Sequence, residues 1–264
     1  MPASDLPLLI DAARAAGEIA SRFSGSNAQR WEKPDGAGPV TEADLAVNAM
    51  LESTLQSARP EYGWLSEETE DSSARLTRDT VFIIDPIDGT RSFVDGSKTW
   101  AHALAVAHHG VVTAAVIFLP LRDKLYSAAT GQGAFLNGVS IKSSEAALLT
   151  GASVLSARPN FEARHWSEGI PEVNRSYRPS LAYRLALVAE GRFDAMLTLR
   201  NSWEWDIAAG DLILREAGAV CSDKTGAPLR FNNARPMLNG VVSAGASVHR
   251  QIIEALDLTE RGPA

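Results

Sequence analysis

Val81-Phe82-Ile83-Ile84-Asp85-Pro86-Ile87-Asp88-Gly89-Thr90-Arg91 runs four apolar residues into two carboxylates three positions apart, then a glycine and a hydroxyl. An apolar run that short predicts a buried strand. Pro86 and Gly89 predict a turn at its end. The two acids then stand at the carboxyl end of a core strand, the edge at which open α/β sheets hold their ligands. Carboxylates so close repel each other unless a cation lies between them, and a divalent metal is the simplest one. A plain β-turn at Asp88-Gly89, capped by Asp85, is the alternative reading. Gly89 and Thr90 would open a helix or turn whose free backbone N–H groups suit an anion. Acids for a metal beside N–H groups for an oxyanion suit a phosphate ester.

The composition sets limits around that stretch. The chain has 264 residues, 45% hydrophobic and 22% charged, which suits one large domain or two closely packed halves. A net charge of -7 argues against a surface that tracks polymeric nucleic acid. The single cysteine, Cys221, excludes an intramolecular disulfide and fits a reducing compartment. It lies in a strand-like stretch and reads as a small core residue. No run approaches the ~20 apolar residues of a membrane span, and no secretory pattern opens the chain. No membrane partner is expected, and the cytoplasm is the expected location.

Working outward, Leu8, Leu9, Ala12, Ala16, Ile19 and Phe23 recur at helical spacing, with Gly25 as the stop. Residues 27–39, with Pro34, Gly36, Gly38 and Pro39, read as a loop. Thr41 is a helix N-cap, and Val47, Met50, Leu51 and Leu55 give that helix its buried face until Pro60. Residues 62–65 suggest a short strand before the acidic segment 67–71. Residues 101–107, 111–118 and 125–128 read as strands, the first two joined at His109-Gly110. Strands are also expected at 154–157, 195–199 and 241–243, and helices at 181–190, 206–217 and 248–256. Strands mixed with helices and hairpins predict layered α/β architecture with antiparallel pairing.

Three further acids have both a bland and a chemical reading. Glu67 and Glu68 are either a solvated loop or a ligand source. Asp206, between tryptophans and an apolar helix, is either an N-cap or first-turn acid, or a ligand. Asp44 closes a capping box with Thr41 or does more. The histidines have no metal-ligand spacing and read as structural.

Taken in order, these segments resemble the inositol monophosphatase-like family of Mg²⁺-dependent, lithium-sensitive phosphatases. The resemblance rests on Val40-Thr41-Glu42-Ala43-Asp44, Ser66-Glu67-Glu68, Asp85-Pro86-Ile87-Asp88-Gly89-Thr90 and Trp205-Asp206-Ile207-Ala208-Ala209-Gly210. Gly133-Ala134-Phe135-Leu136-Asn137-Gly138 also matches a family segment. The resemblance implies an α/β (α+β) fold, the five-layered α-β-α-β-α sandwich of the inositol monophosphatase and fructose-1,6-bisphosphatase type. It implies a single phosphatase domain over residues 1–264, with packed halves at about 1–145 and 146–264.

It also implies roles. Glu67, Asp85 and the Ile87 carbonyl would hold one Mg²⁺, and Asp85, Asp88 and Asp206 a second. Glu67 would reach a third, weaker ion. Thr90 would orient the attacking water with Asp44 accepting its hydrogen bond, and Glu67 and Thr90 would take or relay the water's proton. The N–H groups of Gly89 and Thr90 would bind phosphate, with Lys33 near the metal loop. Ser66 before the two glutamates, and Arg184 in the segment 179–191, resemble the 3′(2′),5′-bisphosphate nucleotidase branch. Arg184 would there meet a second phosphate. That branch converts 3′-phosphoadenosine 5′-phosphate to AMP and phosphate. Ile87 and Arg91-Ser92-Phe93 look more like the inositol or histidinol phosphatase versions. Inositol 1-phosphate and histidinol phosphate therefore stay open as substrates, as does a non-catalytic metal-binding regulatory module. The expected partner is a small phosphorylated metabolite, and the family allows monomers and homodimers.

Overall fold

The computed structural model describes residues 5–23, 29–33 and 38–257. Its first half contains α1 (Asp5–Arg22), β1 (Arg30–Glu32), β2 (Pro39–Thr41), α2 (Glu42–Ala58), β3 (Gly63–Ser66), β4 (Thr80–Asp88) and α3 (Thr90–Val94). β5 (Ala101–His108), β6 (Val111–Leu119), β7 (Lys124–Ala129), β8 (Ala134–Leu136) and β9 (Val139–Ile141) follow. The second half contains β10 (Ser153–Leu155), β11 (Asn174–Ser176), α4 (Leu181–Ala189), β12 (Ala195–Thr198), β13 (Ser202–Trp203) and α5 (Glu204–Glu216). β14 (Val220–Ser222), β15 (Met237–Leu238), β16 (Val241–Ala244) and α6 (Ala246–Ala255) complete it.

β3 to β9 form one seven-stranded sheet in sequence order, with β3 and β4 parallel and the other pairs antiparallel. A five-stranded sheet runs β11-β10-β12-β16-β14. Alternation along each strand sorts its side chains between two cores. Phe82 and Ile84 face α1 and α2, whereas Val81 and Ile83 face α4 and α5. On the far side of α4 and α5, Leu155, Met196 and Val241 cover that second core from the five-stranded sheet. The opposite face of that sheet, with Val154, Leu197 and Val242, packs on Val248 and Ile252 of α6. The layers are therefore α-β-α-β-α, as expected.

Two close approaches fix the middle layer. Ala101, Ala103, Ala105 and Ala107 of β5 are buried in the same core as Ala208 and Ala209 of α5. A Cβ on Gly210 would stand 2.4 Å from Leu185 Cδ1, so only glycine lets α5 press on α4.

Several boundaries differ from the sequence reading. β4 runs on through a bulge at Pro86-Ile87 and pairs again at Asp88, so the turn starts at Gly89. The predicted loop over 27–39 contains β1, and β2 begins at its last residue, Trp31 pairing with Val40. Three-residue strands are too short to show periodicity, which is why β1, β8, β9 and β11 leave little trace in the sequence. Gly25, Pro34 and Gly36 lie outside the described residues. α5 begins at Glu204, so Asp206 is a first-turn acid and not the cap. Among the described residues no helix is long and apolar enough to cross a membrane.

Candidate active site

β4 brings its two aspartates together through a bulge. Asp85 pairs with Ala103 and Asp88 with Ala101, so Pro86 and Ile87 together oppose His102 alone. In a regular strand, residues three apart point to opposite faces. One extra residue restores the alternation and turns Asp85 and Asp88 to the same face. Ile87 is thereby sent to the α1–α2 core. Fully buried His102 bonds through Nδ1 to the Pro86 carbonyl and pins the bulge. Burial lowers the His102 pKa to about 4, so the ring is neutral at physiological pH and Nδ1–H is the donor.

Asp206 reaches the same point from the first turn of α5. Asp85, Asp88 and Asp206 each place an oxygen within 4.8 Å of the others. Both Asp85 carboxylate oxygens are buried and accept no hydrogen bond from any described residue. Burial, then the charges of Glu67, Asp88 and Asp206, push the Asp85 carboxyl far above the usual carboxylate range. Asp206 is raised likewise, by burial and then by Asp88 and Glu67. An anionic cluster with orphaned oxygens is a costly arrangement unless a cation satisfies it. All the donors are hard carboxylate oxygens, the set that suits Mg²⁺.

The remaining predicted residues surround this cluster. Asp88 Oδ2 accepts from Ser180 Oγ at 2.5 Å and from Ala182 N at 2.6 Å, so it also caps α4. Burial raises the Asp88 pKa, and these bonds and Arg184 oppose the rise. Asp44 divides its work between its two oxygens. Oδ2 accepts from Thr41 N at 2.8 Å and Thr41 Oγ1 at 2.5 Å, which closes the capping box. Oδ1 is left for Thr90 Oγ1 at 3.4 Å, and Thr90 Oγ1 also lies 3.2 Å from the Ile87 carbonyl. Lys33 Nζ donates to Glu67 Oε1 and Glu68 Oε1, each at 2.7 Å. The acidic segment is therefore not a solvated loop at these two positions. Lys33 on the β1–β2 hairpin supplies the countercharge.

A cleft of about 600 Å³ opens over the cluster. Glu67, Asp85, Asp88, Gly89, Thr90 and Asp206 line it together with Tyr177, Arg184, Arg200 and Trp203. Arg184 is only 4% exposed, with Nε 3.4 Å from the Ser180 carbonyl and its guanidinium over the Tyr177 ring at 5.2 Å. No carboxylate pairs with it among the described residues.

The sequence reading missed a buried network behind this cluster. Glu204, two residues before Asp206, accepts from Asn232 N at 2.6 Å, Asn233 N at 2.9 Å and Asn233 Nδ2 at 2.7 Å. Arg75 in turn holds Asn232 Oδ1 at 2.6 Å, the Asn233 carbonyl at 2.9 Å and both oxygens of Asp71. The loop that begins at Glu67 is thus tied to the start of α5. No local pattern marks this, because the partners come from three separate segments.

Removing the proton from these buried acids is costly. Burial raises Asp44 to about 6, and burial with repulsion from Glu67 raises Glu68 to about 7. A carboxyl whose folded pKa is raised keeps its proton in the folded state while the unfolded chain releases it. Stability without Mg²⁺ therefore falls as pH rises through about 6 to 7. The Tm gap between Mg²⁺-saturated and Mg²⁺-free protein should widen from about pH 5 to about pH 8. A gap that stays constant or narrows across calorimetric scans would count against this charge assignment.

A sandwich of this order with a carboxylate cluster at a sheet end has the donor set that a metal-dependent phosphoester hydrolase would need. The inositol monophosphatase family matches residues 3–259. Nus factor SuhB of Escherichia coli K12 is 32% identical over 250 residues, covering 91% of this chain and 90% of that protein. An inositol-1-monophosphatase of Mesorhizobium japonicum is 31% identical over 270 residues, 95% of each chain. The crystal structure of SuhB from Bartonella henselae superposes with a TM-score of 0.82 at 28% identity, covering 97% of this chain and 100% of that one. The chain belongs to the inositol monophosphatase family, and it is a phosphatase, a hydrolase of phosphomonoesters.

Proposed function

We propose that this chain hydrolyses a small phosphomonoester that carries a second anionic group, of the 3′-phosphoadenosine 5′-phosphate type, releasing AMP and phosphate. The observation that carries the reading is the presence, in one cleft, of the Asp85–Asp88–Asp206 cluster and the buried guanidinium of Arg184, which forms no ion pair within 4.0 Å with a carboxylate of the described residues. In this reading Asp85, Asp88 and Asp206 hold one Mg²⁺, and Glu67, Asp85 and the Ile87 carbonyl another, with Glu67 the source for a third. Bound Mg²⁺ would supply an acidified water and charge neutralisation at the phosphoryl and leaving oxygens. Thr90 Oγ1 gives its hydrogen to Asp44 Oδ1 or the Ile87 carbonyl, which leaves its lone pairs to orient the water. Glu67, with Thr90, takes or relays the water's proton as the phosphorus–oxygen bond to the leaving group breaks. The first-turn amides at Gly89 and Thr90 have no acceptor within α3 and serve the phosphate oxygens. Lys33 neutralises Glu67 and Glu68 until a cation replaces it. We also read the chain as one domain, because the central apolar core draws side chains from both halves.

Arg184 is assigned to the second phosphate. A buried arginine with free N–H groups suits a phosphate better than a polyol hydroxyl. Inositol 1-phosphate is the second reading, supported by the similarity to inositol-1-monophosphatases. The test compares kcat/KM for 3′-phosphoadenosine 5′-phosphate, inositol 1-phosphate and histidinol phosphate in the wild type and in Arg184→Ala. The bisphosphate should lead by about tenfold or more, and Arg184→Ala should cut its lead by about 10²-fold, the worth of a charge-assisted phosphate contact. A wild type that prefers inositol 1-phosphate about tenfold overturns the nucleotide assignment in favour of the second reading.

A further inference from the structure

We propose that Trp203 is a stacking platform for the leaving group, so that the cleft selects a phosphomonoester with a planar heteroaromatic ring. The proposal rests on the phosphatase reading above and adds to it a residue that discriminates between substrates.

Trp203 forms the end of β13 and the N-cap of α5. Its indole lies parallel to that of Trp205, with centroids 4.7 Å apart and an interplanar angle of 10°. Trp205 is buried beneath it, whereas Trp203 is 40% exposed. Trp205 thus covers one face of the Trp203 ring, while Trp203 stays part-exposed in the lining of the cleft. An indole buries a large area when a partner covers it, so a part-exposed ring is a ready site for one. The β13–β15 pairing, Trp203 with Met237, holds the backbone that carries the ring. The stack beneath also limits its rotation, so little order remains to be imposed on binding.

The surroundings narrow the ligand. Arg184 and Arg200 line the same cleft, and the Tyr177 ring lies under the Arg184 guanidinium. Cations and aromatic faces together suit an anionic ligand with a π face, such as a nucleotide base attached to a phosphorylated sugar. An inositol ring carries a hydroxyl on every carbon other than the one esterified and has no π face. Trp203 precedes Asp206 by only three residues, and both line the same cleft. Shielding the start of α5 is the plainer role for this side chain, but it does not account for the part-exposed ring at the cleft.

The test uses the full-length enzyme with Mg²⁺ and two substrates, 3′-phosphoadenosine 5′-phosphate and glycerol 2-phosphate, which lacks a base. For Trp203→Leu, the ratio of kcat/KM for the nucleotide to that for glycerol 2-phosphate should fall about tenfold or more, chiefly through KM, as expected for one lost base–aromatic stack. Trp203→Phe should restore most of the ratio, because it restores a ring. Titration with AMP should quench tryptophan fluorescence in the wild type, with a smaller amplitude and weaker affinity in Trp203→Leu. If Trp203→Leu lowers both substrates alike and Trp203→Phe does not rescue the ratio, the platform is wrong and the phosphatase reading stands. If the wild type turns over glycerol 2-phosphate but not the nucleotide, both the platform and the nucleotide assignment fall.

Discussion

Asp85→Asn is expected to lower Mg²⁺-dependent kcat/KM by about 10³-fold or more, close to 4 kcal/mol of transition-state stabilisation, while raising the Tm of the metal-free protein. Both effects have the same origin. Asp85 is fully buried, its two oxygens have no hydrogen-bond donor among the described residues, and Glu67, Asp88 and Asp206 add negative charge around it. That arrangement is unfavourable for folding and favourable for a divalent cation. An amide keeps the shape and removes the charge. The folded Asp85 carboxyl is held well above its unfolded pKa, so its cost grows as pH rises above the ordinary carboxylate range. The gain on substitution should therefore be larger at about pH 8 than at about pH 5. Relieving an uncompensated buried group is worth about 1–2 kcal/mol, or about 3–6 °C in a chain of this size. The Mg²⁺-induced rise in Tm should largely disappear in the same variant. Phosphate release at the wild-type rate, or a lower metal-free Tm, would remove Asp85 from the centre of the site.

Thr90→Ala should lower kcat by about 10²- to 10³-fold, within the range of positioned proton-transfer groups. Its hydroxyl stands between two acceptors, Asp44 Oδ1 at 3.4 Å and the Ile87 carbonyl at 3.2 Å. Either one fixes the direction of the O–H bond and hence of the lone pairs that would meet the water. Thr90→Ser keeps the oxygen and should stay within about tenfold of the wild type. The Mg²⁺ concentration for half-maximal rate should move much less than kcat, because Thr90 is not assigned to the metal. Serine as poor as alanine would mean that the methyl group and its packing matter here, not the hydroxyl. A large shift in Mg²⁺ requirement would place Thr90 in the metal site.

Legibility in the sequence followed length and pattern. β4 to β7 could be read because each is long enough to show an apolar run or alternation, and His109-Gly110 marked a tight turn. The hairpin of β1 and β2 could not be read, because three residues on each side of a proline- and glycine-rich segment offer no period. Asp44 closes the capping box with one carboxylate oxygen and turns the other to Thr90, a second contact that local spacing does not reveal. Glu68 looked like part of a solvated loop, but its partner Lys33 lies far away in the sequence. Nothing in the sequence separates Trp203 from Trp205, although only Trp205 is buried.

Residue type and spacing fix the inventory: carboxylates in a set order, a core strand leading to two of them, and a glycine and a threonine beyond. These are local properties, written in residue type and spacing. Tertiary structure alone decided that the inventory meets at one point. Asp85 and Asp88 have the wrong spacing for one face of a regular strand, and only the bulge opposite His102 corrects it. Asp206 arrives because Gly210 lets α5 press on α4, beside the helix start that Asp88 caps. The mutual repulsion that readies the cluster for a cation exists only after burial has removed water from around it.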